Sequence, residues 1–398
     1  MNLLSERIET LAESATIAMS RKSRELREQG HDVISLSLGE PDFHVPQFIK
    51  EAAIQAIRDD YSHYPPIPGY KDLREAISHK FQRDNGLRYH PEQIVVSTGA
   101  KQSIANVVLC TIDPGDEVLL PAPYWVTYQE IVKLAGGIPR IIETSIDNDF
   151  KVTRKQLENH CTGRTKLLIF SSPCNPSGSV FTEDDLEEIA SFLRDHPQVL
   201  ALSDEIYEHI QFGSQHASLA SRPNVYDQVV TINGLSKGFA MTGYRLGYIG
   251  APPWLAEACT KMQGQFTSAA SSISQRAALA ALKAHPRELQ EMQQAFRKRR
   301  DLVIEALEAI PGIKTNHPQG AFYVFPDISA LLGRSVGERY LESSNDLCLY
   351  LLEEAQVALV PGEAFGSPDC VRISYASSED TLKEALQRIK NAVENIAP

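Results

Sequence analysis

The sequence predicts an α/β fold in which a mostly parallel sheet is flanked by helices and a smaller α+β lobe is attached, and three observations carry that expectation. Between about residues 94 and 250, short β-branched or aliphatic runs alternate with helical stretches, the pattern of parallel strands joined by crossover helices. The 398-residue length exceeds the ~100 to 200 residues usual for one domain, so two lobes are expected. No internal repeat, low-complexity tract or long linker interrupts the chain, so the lobes form one body.

Taken in order, the chain opens with a segment that reads as helical from about Ala15 to Gln29 and is expected to pack on the smaller lobe or on a partner chain. The strand runs are Gln93 to Ser97, Glu117 to Leu120, Lys166 to Phe170, Val199 to Ser203, Gln228 to Ile232 and Gly247 to Gly250. The charged stretch from Glu288 to Ala309 reads as a long exposed helix, with Arg297-Lys298-Arg299-Arg300 as a solvated face. Beyond it, Ala321 to Phe325 and Val371 to Tyr375 read as strands of the smaller lobe. These borders divide the chain into an arm and part of the small domain (1–45), a large domain (46–290) and a small C-terminal domain (291–398).

Composition narrows the function. A formal net charge of −12 argues against a surface built for nucleic acid or for an anionic membrane. No apolar run approaches the ~20 residues that span a bilayer, and acidic and polar residues stand near the first methionine, so a cytoplasmic protein is expected. The six cysteines are scattered without a C-x-x-C pair or a histidine at zinc spacing, which predicts free thiols and no metal.

In an open α/β sheet, ligands bind beyond the carboxyl ends of the strands, and four such turns carry chemistry. Thr98-Gly99-Ala100-Lys101 offers backbone N–H groups at a helix start, although any tight turn of this kind favours glycine. Pro173-Cys174-Asn175-Pro176 holds the Asn175 amide on a fixed path, as an ordinary proline-rich turn also does. Asp204-Glu205-Ile206-Tyr207 ends a strand, where an aspartate most often caps a turn; a buried carboxylate there would also keep a pyridine nitrogen protonated. Ser236-Lys237-Gly238 sets a lysine among small and apolar neighbours, which lowers its pKa and frees the amine as a nucleophile toward an aldehyde, with Arg245 nearby as a fork for phosphate.

Together with Ser35 to Phe43 and Val371-Arg372-Ile373-Ser374, these segments resemble the class I aminotransferases of the fold-type I pyridoxal-phosphate family over nearly the whole chain. That resemblance implies a seven-stranded, mostly parallel sheet and pyridoxal 5'-phosphate carried by Lys237, which also moves the substrate proton. It implies Asp204 on the pyridinium nitrogen, Asn175 and Tyr207 on the ring oxygen, and Trp125 on the ring face. The phosphate falls to Gly99, Ala100, Lys101, Ser236 and Arg245, with Tyr64 reaching the cofactor of the other subunit in a homodimer. Where many relatives place a serine this chain has Gly234, so Ser236 or a water is expected to stand in.

For the substrate, the resemblance assigns Arg372 to the α-carboxylate, with Gly39 and Asn175 completing that pocket. Ser14-Ala15-Thr16, Gly99 to Gln102 and Pro123 to Val126 look like the bacterial aspartate or aspartate/prephenate branch, in which Lys101 and Thr16 meet a second carboxylate. The expected reaction passes the amino group of aspartate or glutamate to a 2-oxo acid by way of a pyridoxamine form. A preference for prephenate or aromatic amino acids, or a β-lyase on the same scaffold, is the alternative.

Overall fold

A computed structural model describes residues 3–213, 215–284 and 286–396, so the extreme ends of the outer domain assignments lie outside the described residues. Its main sheet has seven strands: β1 (Ile94–Ser97), β2 (Glu117–Pro121), β3 (Ile138–Ile142), β4 (Thr165–Ser171), β5 (Leu200–Asp204), β6 (Val229–Gly234) and β7 (Gly247–Gly250). Their spatial order is β1-β7-β6-β5-β4-β2-β3. All neighbours pair in parallel except β7, which runs against both β1 and β6. Gly247 sits opposite both Ser97 and Gly234 in that pairing.

The alternation of side chains explains why the strands read as continuous apolar runs. Val95, Val118, Leu120, Leu167, Ile169, Leu202, Val230 and Ile249 point to one face, where helices Ala100–Thr111 and Pro253–Phe266 cover them. Val96, Leu119, Leu168, Ala201, Val229 and Tyr248 point to the other face, against Leu73, Ile77 and Phe81 of helix Lys71–Asn85 and Ile189 and Leu193 of helix Glu183–Asp195. Complete burial of one such aliphatic side chain is worth about 1.5–3 kcal/mol, more than a typical surface ion pair, so these two layers hold the sheet.

A third apolar cluster unites the chain's ends. It joins Met19 of helix Ala15–Glu28, Val33 and Leu36 to Phe296 and Val303 of helix Gln290–Glu308 and to Tyr323, Ile373 and Leu386. Ile34 and Ser35 pair in parallel with Val357 and Ala358, which seats the N-terminal arm on the C-terminal lobe, one of the two placements the sequence left open. Val371–Ser374 lies between Val360–Pro361 and Tyr323–Val324, antiparallel to both.

Three expectations need correction. β3 was absent from the strand runs, because Pro139 and partly exposed side chains mask it; an edge strand tolerates both, since its outer N–H groups need no partner. The helix Gln290–Glu308 is not exposed all round but buries Met292, Phe296, Val303, Ile304 and Leu307. Nor is its basic run simply solvated. Arg299 pairs with both carboxylate oxygens of Asp42 at 2.7 and 2.9 Å and covers Phe43, while Arg300 lies over Phe212.

Candidate active site

The carboxyl ends of the parallel strands and the third cluster meet around a cavity of about 260 Å³. Its wall includes Thr16 and Gly39 from the arm, Ala100 and Lys101 after β1, Trp125 after β2 and Asn175 after β4. Asp204 at the end of β5, Tyr207, then Ser236, Lys237 and Arg245 after β6 follow, and Arg372 closes it from the smaller lobe. Gly99 stands just behind the wall. Its φ of +83° would strain any side chain, and a Cβ there would come within 2.5 Å of Arg245 Nη2, so glycine leaves the guanidinium room to lie across this turn. Tyr64 is not brought into the cavity of its own chain; it is 96% exposed.

Lys237 projects its Nζ into the cavity, where it donates to the Gly39 carbonyl at 2.5 Å. Burial lowers its pKa to about 8, with Arg372 and Arg245 adding to the effect and Glu40 opposing it. An amine so placed spends much of its time neutral near pH 8, the form that attacks a carbonyl or takes a proton.

Asp204 is 4% exposed, and among the described residues no cation is bonded to it. Its oxygens accept from the Tyr128 hydroxyl at 2.7 Å and the Ile206 N–H at 3.2 Å. Burial raises its pKa to about 6 despite those donors. A carboxylate in this state gains most from a partner that brings a positive charge or an N–H. Beside it, the Tyr207 and Tyr323 hydroxyls are 2.8 Å apart, and burial pushes the Tyr207 phenol well above its ordinary value.

Arg372 is among the largest buried side chains of the described residues, at 1% exposed, and burial lowers its pKa. It donates to Asn175 Oδ1 at 3.0 Å and to the Ser37 carbonyl at 2.5 Å, while its Nε has no partner. A buried guanidinium opposed only by neutral oxygens is short of its natural counter-charge, and a carboxylate in the cavity would supply it. Asn175 spends its oxygen on Arg372, so its NH₂ is what remains to offer a ligand.

Another part of the cavity wall suits a phosphate. Helix Ala100–Thr111 begins at its wall, Ser236 supplies a hydroxyl, and Arg245 adds charge from a left-handed backbone position (φ 51°) steadied by a 2.9 Å bond to the Thr242 carbonyl. Lys101 holds its ammonium 4.9 Å above the Trp125 ring. At Gly234 a Cβ would stand 3.0 Å from the Leu246 carbonyl and 3.1 Å from Gly247 Cα, so a serine there would need those neighbours to give by a few tenths of an ångström.

Two participants escaped the sequence reading. Tyr128, on the helix after Trp125, carries no motif, and its spacing from Trp125 was the one local signal. Tyr323 lies within a run read as core strand, and its role arises from contact between lobes that local pattern does not encode.

Comparison with known proteins now adds a decisive observation. The model of the family described as "Aminotransferase class I and II" matches residues 31–389. The chain belongs to that family. Among the aminotransferase's relatives is the bifunctional aspartate aminotransferase and glutamate/aspartate-prephenate aminotransferase of Petunia hybrida, 50% identical over 99% of this chain and 84% of that protein. The aspartate/prephenate aminotransferase of Nitrosomonas europaea is 43% identical over 97% of this chain and 98% of its own. The crystal structure of the aspartate aminotransferase from Rhizobium meliloti superposes with a TM-score of 0.97 at 40% identity, covering 100% of both chains. The Thermus thermophilus aspartate aminotransferase solved with maleate gives 0.92 at 39% identity over 98% of this chain and 100% of that one. The protein is thus a pyridoxal-phosphate-dependent aminotransferase of the α/β fold type I, and the β-lyase alternative is not favoured. Among the described residues no helix is long and apolar enough to cross a membrane.

Proposed function

We propose that this aminotransferase moves the amino group of aspartate or glutamate to a 2-oxo acid, with pyridoxal 5'-phosphate held by Lys237. The observation that carries the reading is the placement of a lowered-pKa amine, an unpaired buried carboxylate and an undercompensated buried guanidinium around one cavity. These residues fit the cofactor: Asp204 accepts no bond from a cation among the described residues, which a pyridinium nitrogen would supply, and the backbone at the helix start, Ala100 and Lys101, with Ser236 and Arg245 would cradle a phosphate. Gly99 makes room for Arg245 in that cradle, Trp125 offers its ring face, and Tyr207 and Asn175 offer donors to the ring oxygen. Bound there, pyridoxal phosphate supplies an electron sink for the pair left at the substrate α-carbon.

The chain's residues do the rest. Arg372 clamps the α-carboxylate, its free Nε and forked nitrogens giving orientation as well as charge, with Gly39 and Asn175 beside it. Lys237 Nζ takes the proton from the α-carbon and returns it on the far side of the transfer. Lys101 and Thr16 meet the second carboxylate of a dicarboxylic donor, a reading supported by the maleate in the Thermus thermophilus structure. Prephenate as a further acceptor is the second reading, favoured by the names of the Petunia hybrida and Nitrosomonas europaea relatives.

The proposal extends to a homodimer in the cytoplasm, with exposed Tyr64 serving the partner's site, and to lobes divided at 45/46 and 290/291. The cluster that joins the arm to the C-terminal lobe supports that division, and through Ile206, Tyr207, Ile210 and Phe212 it also ties both to the large domain. The test combines aspartate with 2-oxoglutarate and then with prephenate. Loaded protein is expected to be yellow and to yield oxaloacetate with glutamate from the first pair. Lys237→Ala is expected to lose both colour and turnover; full turnover in that variant would end the proposal.

A further inference from the structure

Behind the Asp204–Tyr207 turn lies a second buried polar cluster, on the side away from the cavity. Asp204 and Tyr207 line the cavity, whereas Glu205 and Glu208 of the same segment reach Lys80 and Asn85 of the helix Lys71–Asn85, and His216 and Ser218 further along the chain. Glu205 Oε2 accepts from Ser218 at 2.6 Å and Asn85 at 3.2 Å and lies 2.9 Å from His216 Nε2, and its Oε1 accepts from Ser203 at 3.1 Å. Glu208 accepts from Asn85 at 2.9 Å and forms an ion pair with Lys80, which donates to Asn85 Oδ1 at 2.7 Å. Lys80 and Glu205 are each 1% exposed.

Charge counting shows what holds the cluster. Two carboxylates face one ammonium, and His216 stands against the second carboxylate. Burial opposes a charged ring, but Glu205, with Glu208 beyond it, outweighs burial and raises the His216 pKa. Asp84, 4.0 Å from Lys80, and His209, 3.2 Å from Glu208, border with Arg83 an outer hollow of about 220 Å³. Two carboxylate and histidine trios bring their ligand atoms within 4.8 Å of one another, yet the Lys80 ammonium already pairs with the Glu208 they share.

A buried ion network is a poor source of net stability, because desolvation offsets most of its attraction; what it supplies is a single geometry. Here that geometry belongs to reacting groups. The turn is tied to β6 by the Glu205 N–H to Ile232 carbonyl bond at 2.9 Å, and Glu208 N–H closes it on the Glu205 carbonyl at 2.9 Å. His209 rests against Gly238, where a Cβ would come within 2.8 Å of its ring, so the cluster also touches the turn that carries Lys237.

We infer that Lys80, Asn85 and His216 are positioning residues for amino transfer: through Glu205 and Glu208 they fix the segment that aims Asp204 and Tyr207 into the cavity. The inference rests on the aminotransferase function proposed above. Its test uses full-length protein loaded with pyridoxal phosphate, unsubstituted and as His216→Gln, assayed with aspartate and titrated by visible absorbance against pH. In the variant kcat falls about tenfold to a hundredfold while KM for aspartate changes less than about twofold, as for misplaced reacting groups. The midpoint of the absorbance titration rises, because the unmatched Glu205 charge favours protonation around Asp204. Ser218→Ala removes one hydroxyl from the same carboxylate and shifts both readings the same way by less, which keeps the test available if His216→Gln does not accumulate. Variants that melt at a lower temperature with kcat and absorbance midpoint unchanged overturn the positioning role alone. Unsubstituted protein that takes up no pyridoxal phosphate overturns the functional reading with it.

Discussion

At the scale of single residues, the site is a set of ionisable groups kept from their ordinary states by burial. Lys237 is the clearest case, because its amine reacts only when unprotonated. Cofactor-free protein is therefore expected to capture pyridoxal phosphate at a rate that climbs about tenfold per pH unit on the acid side, as the neutral fraction does. The rate should level off above pH of about 8. Stopped-flow absorbance between pH 6 and 10 checks this, and a rate still climbing at pH 10 would return Lys237 to an ordinary lysine. Most of these groups were legible in the sequence because each follows a strand or sits in a dense motif. Tyr128 and Tyr323 were not, since a tyrosine in a helix or strand gives no sign of what lies across the cavity from it.

At the scale of elements, the strand ends need anchoring as much as the apolar middles need packing. Glu117, at the start of β2, is buried and accepts from Arg140 at 2.6 Å, Arg164 at 2.7 Å and Thr162 at 2.7 Å. The Arg140 bond leads the causes that hold its pKa at about 2, below the ordinary carboxylate value, against burial. A depressed carboxylate stabilises the fold fully above its unfolded pKa, and that stability is lost as pH falls through the folded value. Glu117→Gln is expected to cost about 1–3 kcal/mol at neutral pH, the worth of hydrogen bonds to a charged group. In thermal melts, the gap in Tm from the unsubstituted protein should narrow as pH falls from about 4.5 toward about 2. A gap independent of pH would show that shape rather than charge matters there. The strands themselves were readable wherever both faces are covered; β3 was not, because an edge strand with a proline lacks the continuous apolar run that burial on two sides imposes.

At the scale of the whole molecule, the arm and C-terminal lobe close over the sheet's carboxyl edge, and Arg372 and Gly39 reach the site only by that closure. Tyr64 is 96% exposed on its own chain and stands outside that chain's cavity. If it serves the partner's site, mixing Tyr64→Ala with Lys237→Ala subunits should restore activity toward about a quarter of the unsubstituted level, since random pairing leaves one intact site in half of the dimers. No recovery would remove Tyr64 from the partner's site, and full activity of Tyr64→Ala alone would place it outside the chemistry. The two-lobed α/β plan was readable from alternating runs and length, while the seating of one lobe on the other depends on contacts between residues such as Ile34 and Val357 that no local window contains.

Because β7 runs against its neighbours, segment 235–246 leaves the sheet and re-enters it at one edge, with Gly234 and Gly247 as adjoining feet. Lys237 and Arg245 thus ride a single closed arch, footed beside the turn that holds Gly99. An arch footed at both ends moves as a unit, so an insertion within it would displace the nucleophile and the anion fork together rather than loosen either alone.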